Sequence, residues 1–232
     1  MLELQSLTYS YNKKNDLIFN DVNLVIPKDS FVGLLGPNGV GKTTLLKILT
    51  NQIKDYSGTV LLNGRNVADI NDNIYDYISI LTSDMRTPRF LKVFEAIKFS
   101  LECYDNYSKR KFDEIVDIFS LEKHLDKKIS ELSSGLERRV ELAQTFANNS
   151  QILILDEPCN ALDFDSVKDT LKLISSIKDM GKTIIYSTHQ FGEIEKLYTH
   201  CIFFKNKKLE LLSKNEINND LQTCYSNYYD IL

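Results

Sequence analysis

Two rhythms of apolar residues divide this 232-residue sequence. Continuous or alternating apolar runs at Leu2 to Tyr11, Val22 to Ile26, Phe31 to Leu35, Thr59 to Leu62, Tyr77 to Leu81, Ile152 to Leu155, Thr183 to Ser187, Cys201 to Phe204 and Leu209 to Leu212 predict strands. Between them, apolar residues recur at intervals of three and four. Leu45, Leu46, Ile48 and Leu49 predict a helix from Thr44 to Asn51, with Tyr56-Ser57-Gly58 breaking the chain after it. Phe94, Ile97 and Leu101, then Phe112, Ile115, Val116 and Phe119, predict helices over Val93 to Tyr104 and Lys109 to Phe119. Val140, Leu142, Ala143 and Phe146 mark a further helix, and Val167 to Lys178 another.

The order of these elements predicts an α/β fold. Several strands are apolar throughout, which requires a sheet covered on both faces, and their alternation with helices makes that sheet parallel. The first two strands, joined by the polar turn Asn12-Lys13-Lys14-Asn15-Asp16, form an antiparallel flap. The helices within about residues 85–135 form an inserted helical subdomain, and the last two strands form an edge hairpin. The polar tail, about residues 213–232, carries no periodicity. There is no internal repeat, so residues 1–232 are expected to be one domain.

Composition narrows the chemistry. The formal net charge of −4 and a sequence pI near 5.5 argue against the basic footprint that DNA or RNA demands. Basic groups at Lys109-Arg110-Lys111 and at Lys205, Lys207 and Lys208 read as solvated faces. Cys103, Cys159, Cys201 and Cys224 form no Cys-x-x-Cys pair, so neither a zinc knuckle nor a dithiol motif is indicated and they read as reduced thiols. No run approaches the roughly 18 apolar residues of a membrane span, and Met1 to Gln5 lacks the regions of a secretory signal. A cytoplasmic location is expected.

The run Phe31 to Leu35 leads into Gly36-Pro37-Asn38-Gly39-Val40-Gly41-Lys42-Thr43-Thr44, which opens the first predicted helix. Strand, glycine-rich loop and helix in that order predict a nucleoside triphosphate site. Backbone N–H groups turn inward around the phosphates, Lys42 supplies a cation to the β and γ phosphates, and the Thr43 hydroxyl ligates Mg²⁺. Ile152 to Leu155 ends in Asp156-Glu157-Pro158, which places two carboxylates at the carboxyl end of a buried strand, where α/β sheets bind ligands. Asp156 can hold Mg²⁺ through water, and Glu157 can orient or deprotonate the water that attacks the γ phosphate.

With Asn160-Ala161-Leu162-Asp163 next, and Ser187-Thr188-His189 closing the following strand, the chain resembles the ATP-binding subunits of ABC transporters from Tyr9 to His189. The resemblance makes the fold a P-loop NTPase core with the flap and helical insertion. It makes Gly36 to Thr44 the Walker A loop, Ile152 to Glu157 the Walker B strand, Asp163 the D-loop acid and His189 the switch histidine at the γ phosphate. It also implies an aromatic that stacks on adenine, Tyr11 in preference to Tyr9, because Tyr11 ends its strand.

Leu132-Ser133-Ser134-Gly135-Leu136 stands where the family's signature usually reads Leu-Ser-Gly-Gly-Gln. By resemblance, Ser133 and Gly135 close over ATP held by a second subunit. A purely local alternative makes Ser134 and Glu137 a helix capping box. The family's metal-sensing glutamine is absent, with Ser83 or Asp84 in its place.

The resemblance implies an ATPase using ATP and Mg²⁺, paired with a like or unlike ATP-binding subunit. It would lie on the inner face of the membrane through a transmembrane partner, and its short form looks exporter-like. Two alternatives are a soluble relative outside transport and a weakly catalytic nucleotide sensor. Neither the tandem copies of translation factors nor the long coiled coil of repair ATPases occurs here.

Overall fold

A computed structural model of the chain describes residues 1–12, 16–70, 74–217 and 221–229. Most of the proposed turn at 12–16 and parts of the tail lie outside them. The chain divides into two compact units, residues 1–74 with 181–232, and residues 75–180.

The first unit opens with β1 (Leu2–Ser10) and β2 (Leu17–Ile26), then β3 (Phe31–Leu35), α1 (Lys42–Leu49), β4 (Ser57–Leu62) and β5 (Arg65–Asn66). The flap is a four-stranded antiparallel sheet in the order β2-β1-β4-β5, so the fourth predicted strand belongs to it. β2 starts five residues before the expected Val22, because Asp21, at φ 48°, carries an irregularity through which pairing continues to Leu17. Ser57 and Gly58 do not break the chain but begin β4. Gly58, at φ 92°, faces the bulge of β1, where a β-carbon would lie 2.4 Å from the Ser6 carbonyl oxygen.

The second unit contains β6 (Ile78–Leu81), α2 (Val93–Cys103), α3 (Lys109–Ile118), α4 (Ser134–Ala147), β7 (Ile152–Asp156) and α5 (Phe164–Asp179). β6 and β7 pair in parallel from Ile78↔Ile152 to Leu81↔Leu155. α2, α3 and α4 bury Ile97, Leu101, Phe112, Ile115, Val140 and Leu142, the stripe that the sequence spacing marks. Gln144 of α4 accepts a hydrogen bond from Thr87 and donates to the Ala96 carbonyl and the Ser100 hydroxyl, tying residue 87 to α2.

The chain returns to the first unit as β8 (Thr183–Ser187), α6 (Phe191–Ile194), β9 (His200–Lys205), β10 (Lys208–Ser213) and α7 (Leu221–Tyr229). β3 lies between β8 and β9 with both pairings parallel, and β10 closes the edge as the antiparallel hairpin that the sequence predicts. All five residues of β3 and all five of β8 are buried, as uniformly apolar strands require. The tail corrects the sequence expectation, since its residues form α7.

Candidate functional site

In the first unit, β3 delivers the chain to Gly36, and the glycine-rich loop ends at Gly41, whose φ of 115° caps α1. A β-carbon at Gly41 would lie 2.8 Å from Cγ2 of Ile18 on the flap, so this position combines a left-handed turn with a close approach. Lys42 is buried, and its ammonium donates to the carbonyl oxygens of Gly36 at 2.6 Å and Pro37 at 3.2 Å. The cation therefore sits inside the loop, beside the first turn of a helix whose free N–H groups favour anions. Pro37, Asn38 and Gly39 are exposed and Val40 is partly so, leaving the rim of the loop open to a ligand. Thr43 is exposed on the first turn, while Thr44 is buried and its hydroxyl meets that of Tyr11 at 2.9 Å. Lysine, threonine hydroxyl and helix N-terminus fit a magnesium-bound triphosphate at this loop.

Tyr11 is 56% exposed, whereas Tyr9 is buried and meets the Tyr11 ring edge-on at 5.1 Å. Tyr11 alone of the pair presents a large free face.

His189 is exposed and follows β8. Its neighbour Thr188 is anchored, since the Thr188 hydroxyl donates to buried Glu193 at 2.7 Å and accepts from the Gln190 N–H, while Tyr186 donates to the same Glu193 oxygen at 2.8 Å. Sequence reasoning missed Glu193, because a glutamate two residues into a short helix carries no motif.

In the second unit, Asp156 ends β7 buried and Glu157 follows it, partly exposed, at φ 48°. A non-glycine residue in the left-handed region redirects the chain at once, so the two adjacent carboxylates leave the strand end differently. Asp163 caps α5. Its carboxylate accepts from the Ser166 N–H and the Ser166 hydroxyl, both at 2.9 Å, and these bonds hold its pKa below the ordinary value. A depressed carboxyl pKa means that this cap is intact at neutral pH and is lost as pH falls through the folded-state value.

The signature stretch corrects the local capping reading. Ser133, not Ser134, is the N-cap of α4, accepting from the Leu136 N–H at 3.4 Å, so Ser134 and Glu137 form no capping box. Gly135 has a packing reason of its own, because a β-carbon there would lie 2.3 Å from the Ser166 hydroxyl oxygen and 2.8 Å from its β-carbon. Ser133, Gly135, Leu136, Arg139, Ser166 and Asp169 line a cleft of about 250 Å³ between α4 and α5. Gly135→Ala is therefore expected to push Ser166 off Asp163 and to destabilise the fold by roughly 1–3 kcal/mol. Thermal unfolding checks this, at about 2–4 °C per kcal/mol for a chain of this size. Adding Ser166→Gly should recover part of the loss, and no recovery would place the strain elsewhere.

Ser83 and Asp84 occupy the turn from Thr82 to Met85, closed by the Met85 N–H to the Thr82 carbonyl, and Arg86 donates to the Ser83 carbonyl. Beside this turn, Met85, Arg86, Thr87, Leu91, Phe99 and Tyr104 help line a cleft of about 490 Å³.

Comparison with known proteins gives this arrangement its context. The sequence pattern of the ABC transporter family matches residues 19–160. The lantibiotic transport ATP-binding protein SrtF of Streptococcus pyogenes is 30% identical over 98% of this chain and 96% of its own length. The spermidine/putrescine import ATP-binding protein PotA of Thermotoga maritima is 34% identical over 76% of this chain and 49% of its own. Among solved structures, the dimeric post-hydrolysis state of the ATP-binding cassette MJ0796 with ADP and Pi superposes with a TM-score of 0.77 at 25% identity, covering 92% of this chain and 98% of that one. With phosphate loop, acidic strand end and family match in agreement, the chain belongs to the ABC transporter family, as one of its ATP-binding, ATP-hydrolysing chains.

Proposed function

We propose that this ATPase powers export across a membrane, working in pairs and through a separate transmembrane subunit that holds it at the inner face. The observation that supports the transport role in this reading is the end-to-end correspondence with a lantibiotic transport protein, which spans 98% of this chain and 96% of the relative. The import relative corresponds over only 49% of its own length.

Lys42 neutralises the β and γ phosphates, and the loop N–H groups from Gly36 to Thr44 hold their oxygens. Thr43 and Asp156 would each offer a ligand to Mg²⁺, which would spread the charge on the phosphate tail. Glu157 orients and deprotonates the attacking water. His189 donates a hydrogen bond toward the γ phosphate, and the anchored Thr188 limits where its ring can go. Tyr11 stacks on adenine, supported by its exposed face. Ser133 and Gly135 complete the site of a second ATP-binding chain. The cleft beside the Ser83–Asp84 turn, with exposed Phe99 on its wall and exposed Phe90 nearby in sequence, suits an apolar element of the membrane subunit. Among the described residues no helix is long and apolar enough to cross a membrane, so on this proposal the transport path belongs to the partner.

Affinity purification from native membranes tests the proposal. A multi-spanning membrane protein is expected to copurify and to raise ATP turnover on reconstitution. Recovery without any membrane protein, at unchanged turnover, would overturn it.

A further inference from the structure

α7 ends on the root of the phosphate loop. The Tyr229 hydroxyl donates to the carbonyl of Leu35, the last residue of β3, at 3.1 Å and accepts from the Phe204 N–H of β9 at 2.8 Å. The ladder between β3 and β9 runs as far as Leu35↔Phe203. The next N–H and the last carbonyl are thus joined through a phenol rather than to each other. A phenolic hydroxyl both donates and accepts, so one side chain satisfies both backbone groups while keeping the two strands apart where the chain must turn into the loop. Burial pushes this phenol up to about 12, so it stays a donor at any physiological pH.

The contact continues into the loop. A β-carbon at Gly36 would lie 3.1 Å from the Tyr229 oxygen and 2.8 Å from Val40 Cγ1, and the Gly36 carbonyl accepts from Lys42 at 2.6 Å. On the other side, Tyr229 packs on Tyr225 at 4.5 Å, and Tyr225 on Phe191 at 4.5 Å, two residues past His189. The helix is fastened independently by the Lys205 ammonium on the Tyr228 carbonyl and the Tyr228 hydroxyl on Glu210, both at 2.8 Å.

We propose that Tyr229 is a positioning residue for ATP binding: its hydroxyl sets the position of Leu35 and Gly36, and through the Gly36 carbonyl that of the Lys42 ammonium. The inference rests on the assignment of Gly36 to Thr44 as the nucleotide loop. Without the hydroxyl, the Leu35 carbonyl and Phe204 N–H are free to close on each other, drawing the loop root toward β9 and away from the geometry that receives phosphate.

The test compares Tyr229→Phe, Tyr228→Phe and Lys42→Ala in the full chain by calorimetric titration with Mg·ATP, with steady-state KM and kcat alongside. Tyr229→Phe keeps the ring and its packing, and should raise Kd and KM roughly five- to tenfold, the worth of one hydrogen bond, with kcat within about twofold. Tyr228→Phe, which loses a hydroxyl bond on the same helix, should change Kd less than about twofold. Unchanged Kd in Tyr229→Phe, an equal shift in both tyrosine variants, or a fall in kcat alone would overturn the proposal. Lys42→Ala separates the two levels: if it also leaves Kd unchanged, the nucleotide-loop assignment fails; if it weakens binding while Tyr229→Phe does not, only the role of Tyr229 fails.

Discussion

Glu157→Gln is expected to slow ATP turnover by roughly 10² to 10⁴ while leaving ATP affinity near its starting value, because a positioned general base contributes about that much. Glutamine matches glutamate in shape, so the left-handed backbone at φ 48° and the buried strand behind it need not change. On the proposed mechanism, what is lost is the ability to take a proton from the attacking water. Phosphate release at saturating Mg·ATP measures turnover, and calorimetry measures affinity. Turnover within about threefold of the parent would remove Glu157 from the chemistry, and a parallel loss of affinity would make its role one of binding.

Lys42→Ala should have the opposite signature. The ammonium is buried within the loop, bonded to the Gly36 and Pro37 carbonyls, so on the proposed assignment its charge would act on the phosphates with little screening. Charge-assisted hydrogen bonds contribute about 1.5–3 kcal/mol each, and a lysine that reaches two phosphates is worth on the order of 10²-fold in affinity or more. The measurement is Kd for Mg·ATP, with thermal unfolding in the absence of nucleotide as control. A Kd within about threefold of the parent, in a protein that unfolds at a similar temperature, would contradict the assignment.

Much of the nucleotide half was legible in advance, and the reasons are physical. β3 and β8 are apolar throughout because both faces are covered, and the glycine-rich loop is recognisable because only glycine tolerates both the φ of 115° at residue 41 and the flap packed against it. The helices α2, α3 and α4 declared themselves through spacings of three and four. Boundaries set by hydrogen bonds were harder to see. α5 begins at Phe164 rather than Val167 because Asp163 caps it, yet Phe164 is 83% exposed and breaks the amphipathic rhythm of the first turn. Ser133 and Ser134 are the same residue type side by side, and only the backbone decides which one caps α4. α7 escaped notice because its apolar character is carried by tyrosines, although Tyr225, Tyr228 and Tyr229 stand at helical intervals of three and four and would have supplied the signal.

The claim on which the rest depends is that this chain grips magnesium-bound ATP through the loop from Gly36 to Thr44. Calorimetric titration of the full chain with Mg·ATP tests it most directly. Saturable binding with a Kd between about 1 µM and 1 mM, the range in which enzymes hold such substrates, is the predicted result. A flat titration to millimolar nucleotide from correctly folded protein would contradict it.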